Sequence, residues 1–229
     1  MVHLAGELPL ARRYTIMMDE GYNNRVPIIG VARHRLAVDG QGVTTLVAFH
    51  GCTLRCQYCL NAQCLRPDGF SRTATPAELL DEVMIDNLYF LATGWGITFG
   101  GGEPAIRSEF IDAFCRMAPP EWHFTIETAL NVERHHLERL LPHIHEYYID
   151  IKDLNPDIYR RYTGQDNQHT LDNLQWLLGH DGMADRIVVR VPHIPDFNTD
   201  EDVQRSRQYL ESICITRIDE FAYLRRADK

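Results

Sequence analysis

From about residue 43 to its end the chain alternates strand-like and helix-like segments, and that alternation limits its fold more than any other feature. Val43–Phe49 is a β-branched, apolar run. Thr75-Pro76-Ala77-Glu78 reads as a helix start, with Thr as cap, Pro in the first turn and Glu three positions after the Thr. Leu79, Leu80, Val83, Met84, Leu88 and Leu91 follow at helical spacing, which predicts one helix ended by Gly94. Strand-like segments at 96–99, 123–129, 147–152, 186–191 and 215–224 then alternate with helical ones opened by Ser108, Glu133, Pro156 and Leu171. A last helix is capped by Thr199, and its acidic first turn (Asp200, Glu201, Asp202) suits the positive end of a helix dipole. Six strands joined by helices predict an α/β fold with a parallel sheet of right-handed βαβ units. Six units are too few for the closed eight-stranded barrel. The expectation is an open partial (β/α)6 barrel, with ligands at the C-terminal ends of its strands. One domain is expected over 1–229: an irregular or β-rich lead-in at 1–25, then the barrel over 26–229.

Length and charge narrow the function classes. The 229 residues are 45% hydrophobic and 24% charged, ordinary for a globular chain. No apolar stretch is long enough to cross a bilayer, and the N-terminus lacks an export signal's apolar segment, so a cytoplasmic protein with no membrane partner is expected. A net charge of −9 argues against non-specific nucleic-acid binding. Lys152 is the one lysine before the C-terminal Lys229, in a chain that otherwise uses arginine. A compact ammonium does not interchange with a planar guanidinium, so Lys152 is a candidate functional group, with a solvated surface lysine as the alternative.

Six cysteines in a cytosolic chain point to metal ligands or core residues rather than disulfides. Cys115 and Cys214, in apolar contexts, read as core, and Cys64 reads as a loop residue near a metal site. Cys52, Cys56 and Cys59 are spaced C-x3-C-x2-C directly after the first strand-like run. Three close thiolates can hold three corners of a four-iron cluster and leave one iron open to another ligand. Structural zinc is the rival, since Cys56 and Cys59 form a C-x2-C unit that Cys64 or His50 would help complete.

Other polar groups fall at later strand ends: Gly100-Gly101-Gly102-Glu103-Pro104, Glu127-Thr128, Asp150-Ile151-Lys152 and Arg190. A glycine run there lets backbone approach a ligand closely, though tight turns use it more often. The run is no phosphate loop, because the Lys-Ser/Thr ending is missing. Glu103 would accept from a ligand ammonium. Asp150 and Lys152, two apart on a strand, share a face with Tyr148. The alternative is an internal ion pair that fixes the sheet.

These motifs resemble the radical S-adenosylmethionine (SAM) superfamily. Within it they look like the activating enzymes of glycyl radical enzymes, of the pyruvate formate-lyase activating type. The resemblance runs from about Val38 to Phe197. It rests on Val38-Asp39-Gly40-Gln41-Gly42, the three cysteines with Tyr58 and Asn61, Gly101-Gly102-Glu103-Pro104, Asp150-Ile151-Lys152, Tyr162-Thr163-Gly164 and Arg190-Val191-Pro192-His193-Ile194-Pro195. It implies that Cys52, Cys56 and Cys59 ligate a [4Fe-4S] cluster whose fourth iron chelates SAM. Tyr58, Cys59 and Leu60 would line the adenine, and Gly101, Gly102 and Glu103 would hold the methionine ammonium. Asp150, Ile151 and Lys152 would contact ribose or carboxylate, with Arg190 near the cofactor or the partner. Glu127, Thr128, Tyr148 and Asp150 match positions that hold a monovalent cation in related activases, with Glu127 in place of the usual aspartate.

The reaction so implied is reductive cleavage of SAM to methionine and a 5′-deoxyadenosyl radical, which takes hydrogen from a glycine of a partner glycyl radical enzyme. A low-potential donor such as flavodoxin or ferredoxin would supply the electron. The chain departs from the pattern at Gln41, where proline is common, and in Phe221-Ala222-Tyr223-Leu224, which offers none of the ligand histidines found near the last strand of similar activases. Two alternatives are a radical SAM enzyme acting on a small molecule or peptide, and a zinc-binding structural protein.

Overall fold

Each strand of the sheet sends alternate side chains to opposite sides, one packed under helices and one turned to a cavity. The computed structural model describes residues 23–36, 38 and 40–223. The N-terminal lead-in as far as residue 22, Asp39 of the first resembling motif, and Leu224 lie outside the described residues.

Among the described residues eight strands form one sheet: β1 (Val26–Leu36), β2 (Val43–Phe49), β3 (Arg72–Ala74), β4 (Ile97–Gly101), β5 (Phe124–Thr128), β6 (Glu146–Asp150), β7 (Ile187–His193) and β8 (Ile218–Ala222). Their order is β3-β1-β2-β4-β5-β6-β7-β8. The six strands from β2 to β8 in that order run parallel, as the alternation predicts. β1 and β3 are additions to that expectation, paired antiparallel on the β2 edge. Among the described residues the outermost strands, β3 and β8, do not pair with each other, so the barrel they form is open. No helix among the described residues is long and apolar enough to cross a membrane.

The helices are α1 (Pro76–Val83), α2 (Asn87–Thr93), α3 (Ser108–Met117), α4 (Arg134–Leu140), α5 (Pro156–Thr163), α6 (Gln168–Leu178) and α7 (Asp200–Ser212). The Thr75 capping box holds: its side chain accepts from Glu78 N, and Glu78 accepts from Thr75 N. Thr199 and Asp202 form a second box at α7. Val47, Phe49, Phe99, Ile126, Tyr147, Ile149, Val189 and Val191 pack under the helices. Phe49 meets Phe110 edge to face at 5.5 Å, and Phe99 meets Phe114 at 5.7 Å.

Two expectations are corrected. The single helix expected from Leu79 to Leu91 is broken by a 3-10 turn at Met84–Asp86, and Leu88 and Leu91 are exposed. The cause is Asp86, which is fully buried and accepts from Arg33 Nε (3.0 and 2.9 Å) and Thr45 Oγ1 (2.8 Å), with His34 Nε2 at 3.0 Å. A continuous helix would carry this carboxylate away from β1. Burial raises its pKa, but Arg33 and Thr45 outweigh burial and the net shift is down. Asp86→Ala is therefore expected to lower the unfolding free energy by about 1–3 kcal/mol, by leaving the buried Thr45 hydroxyl without its acceptor; urea denaturation measures it.

Cys214 is exposed rather than core. Helix α7 stops at Ser212, and Cys214 takes a left-handed turn (φ 68°) that sends Ile215 inward in its place.

Candidate active site

The cysteine loop leaves the C-terminal end of β2 and is clamped from two sides. Arg55 N donates to Thr163 O (2.8 Å) and Gln57 N to Tyr162 O (3.1 Å), so the last turn of α5 holds the loop by its unsatisfied carbonyls. Gly164 then closes α5 as a left-handed cap. That gives Tyr162-Thr163-Gly164 a physical role the sequence did not disclose. On the other side, Glu103 N donates to Gly51 O (2.8 Å) and Gly102 N to Phe49 O (2.9 Å). A Cβ on Gly102 would stand 2.0 Å from Gly51 O, and one on Gly101, at φ +101°, 2.7 Å from Phe49 N. The glycines thus bring the ends of β4 and β2 together beside the cavity.

Residues from six parallel strands and from the cysteine loop surround a cavity of about 430 Å³. Since β2 and β8 are separated by four strands in the sheet and both reach it, the sheet curves around this space. Of the expected site residues, Cys52, Cys56, Cys59, Leu60, Gly101, Gly102, Glu103, Glu127, Thr128, Asp150, Lys152 and Arg190 line it. Tyr58 and Ile151 do not. The Tyr58 ring packs on Tyr162 and Phe197, with its hydroxyl 3.3 Å from Pro195 O. Ile151 is fully buried and, one residue from Asp150 and Lys152, faces the helix side with Ile149.

The charges in the cavity are arranged as a chain. Lys152 Nζ lies 3.2 Å from Asp150 Oδ2 and donates to Tyr223 Oη at 3.0 Å. Arg190 donates from Nε to Asp150 Oδ1 (2.8 Å) and from Nη1 to Glu127 Oε1 (2.9 Å). Burial works against the Lys152 ammonium, but Asp150 outweighs it and holds Lys152 charged; burial likewise opposes Asp150, whose pKa is nevertheless drawn down by Lys152 and Arg190. Glu103 differs: burial pushes its pKa up, against hydrogen bonds from Thr128 Oγ1 (2.7 Å), Ala129 N (2.9 Å) and Ala105 N (3.1 Å). An arriving ammonium would favour its ionised form.

The three motif cysteines are half-buried around the same cavity, and Cys52 and Cys56 pack on Leu54, Ala129 and Tyr159. Burial pushes Cys56 up to about 11, while a hydrogen bond to Cys64 is the largest influence drawing Cys59 down to about 6. Three thiols of one loop, half-sheltered beside a cavity that also holds an ammonium and carboxylates, fit a cluster with room for a ligand at its side. Sequence reasoning missed Arg35 and Tyr223; Cys64, read from the sequence as a loop residue near a metal site, does line the same cavity as Cys52 and Cys59. For Tyr223 a signal existed: Phe221 and Tyr223 are two apart at the last strand, and both line the cavity.

A family model described as the radical SAM superfamily matches residues 46–210, from β2 into α7. The chain belongs to the radical SAM superfamily. It is a radical SAM enzyme of activase-like type, a class that works with a four-iron four-sulfur cluster and SAM. Pyruvate formate-lyase-activating enzyme from Staphylococcus aureus (strain USA300) is 30% identical over 172 residues, which cover 72% of this chain and 67% of that enzyme. Two solved structures share the fold. Streptococcus suis SuiB bound to S-adenosylmethionine superposes with a TM-score of 0.57 at 15% identity, over 80% of this chain and 43% of SuiB. TYW1 with a lysine-pyruvate adduct bound gives 0.52 at 15% identity, over 81% of this chain and 66% of TYW1. The chain thus spans less than half of SuiB.

Proposed function

We propose that this chain is a protein-radical activase that takes a hydrogen atom from a backbone glycine of a partner glycyl radical enzyme. The observation that supports it best is the joint one. Three motif thiols face an ammonium–carboxylate chain across one cavity, in a chain 30% identical to an activating enzyme.

Cys52, Cys56 and Cys59 would hold the four-iron four-sulfur cluster, which supplies the one-electron cleavage of SAM to methionine and a 5′-deoxyadenosyl radical. Everything else is binding and exclusion by the chain. Gly101 and Gly102 leave room beside the cluster loop, and Glu103 would receive the methionine ammonium. Lys152, kept protonated by Asp150, would face the carboxylate. Thr128 fixes Glu103 from beneath. Leu60, half of whose surface or more is open, would meet the nucleoside at the rim. Tyr58 would act from behind, by packing the loop onto Tyr162 and Phe197. The open mouth between β8 and the β3 edge leaves a path for a partner's backbone. The electron would come from a low-potential donor of the flavodoxin or ferredoxin kind.

Anaerobic, chemically reduced protein with SAM is expected to release 5′-deoxyadenosine. With a glycyl radical enzyme encoded beside this chain, it is expected to generate a glycine-centred electron paramagnetic resonance signal. Deoxyadenosine without the glycine signal would turn the reading to a small-molecule or peptide substrate. No deoxyadenosine at all would overturn it.

A further inference from the structure

Glu127, Thr128, Tyr148 and Asp150 are brought together, as a monovalent-cation site would require, but the space between the two carboxylates is taken. Arg190 stands opposite Asp150 in the β6–β7 register, while Glu127 lies one strand further, opposite Tyr148. The Arg190 side chain therefore reaches back across β6. Its Cζ sits 5.6 Å from the Tyr148 ring centre, and its fork bridges Asp150 and Glu127. Lys152 occupies the second oxygen of Asp150. The two acids are thus matched by two cations of the chain's own.

An alkali ion needs several oxygen ligands together, and here carboxylate oxygens already accept from N–H groups. An added ion would also stand beside a guanidinium that cannot be deprotonated. These residues, as arranged, do not fit a bound sodium or potassium ion. We infer that Arg190 is a built-in replacement for such an ion: a positioning residue whose guanidinium holds Glu127 and Asp150 at the distance an ion would otherwise set, leaving the protein without a monovalent-cation requirement. A planar fork does this where a lysine would not, because it donates along two directions at once.

The test uses cluster-loaded protein, with its thermal midpoint followed in potassium, sodium or choline chloride at constant ionic strength. The wild type is expected to show the same midpoint in all three salts. Arg190→Gln, which vacates the place but keeps the acids, is expected to lose several degrees in choline and regain part of that loss saturably in potassium or sodium. Arg190→Lys is expected to fall between the two in choline. A saturable potassium or sodium response in the wild type would overturn the inference, and so would an Arg190→Gln protein indifferent to cation. Thallium-205 resonance on the wild type, with no saturable bound signal expected, decides the matter even where the variant does not fold. None of these readouts depends on SAM cleavage or a partner, so their outcome is separable from that of the proposed function.

Discussion

Cys56→Ala protein, assembled with iron and sulfide without oxygen, is expected to remain folded and to form no more 5′-deoxyadenosine than a protein-free control. The two halves of that result come from different physics. Cys56 is half-buried against Leu54, Ala129 and Tyr159, and losing one sulfur atom there costs about 1 kcal/mol of burial. The loop itself is held by backbone bonds to Thr163 and Tyr162, which the substitution leaves in place. Cluster binding has no such reserve, because two thiolates cannot hold what three do. Cys115→Ala is the control: that sulfur is buried in the core of α3, away from the cavity, so a similar loss of stability is expected with full iron content. Metal analysis of the wild type belongs to the same experiment. Iron and sulfide in equal amounts are expected. One zinc without sulfide would instead mean that Cys64, which lines the same cavity as Cys52 and Cys59, completes a four-ligand structural site.

What the sequence disclosed and what it hid divide along a physical line. The six parallel strands were legible because most are short apolar or β-branched runs and all fall between helical segments, a local pattern. β1 was not: Pro27 and Gly30 interrupt it, its outer half ends in Arg33-His34-Arg35, and its pairing is shifted beside Gly30 and around His34. Its role, carrying Arg33 and His34 to Asp86 some fifty residues away, is a long-range one. The broken helix was hidden for the same reason, since Asp86 sits on an otherwise helical pattern until its partners are known. The site was legible where polar residues end strands, as with Glu127, Asp150 and Lys152. Tyr223 escaped because its partner, Lys152, lies 71 residues away. Cys214 was misread because apolar neighbours do not reveal a left-handed turn.

Asp150→Asn is expected to be the most destabilising single change in the cavity, by about 3–5 kcal/mol, which is the usual effect of removing one partner from a buried charge set. Asp150 stands between Lys152 and Arg190, and all three side chains are less than a quarter exposed, so solvent screening does not reduce the pair to a surface salt bridge. An amide supplies no charge and turns a donor toward one of the two cations, leaving Glu127 as the acid that still pairs with Arg190. In a chain of this size such a loss lowers the thermal midpoint by about 10 °C. Its pH dependence has a fixed sign. The folded pKa of Asp150 is depressed, so its contribution is complete above the unfolded value of about 3.9 and fades as pH falls through the lower folded value. The gap between wild type and Asp150→Asn, measured by urea denaturation, should therefore be constant from pH 7 to about 5 and narrow below about 4. The double variant Asp150→Asn/Arg190→Gln should lose less than the sum of its parts, because one stranded cation is gone. A gap under 1 kcal/mol at neutral pH, or strict additivity in the cycle, would mean that the two cations find other partners and that Asp150 does not organise the cavity.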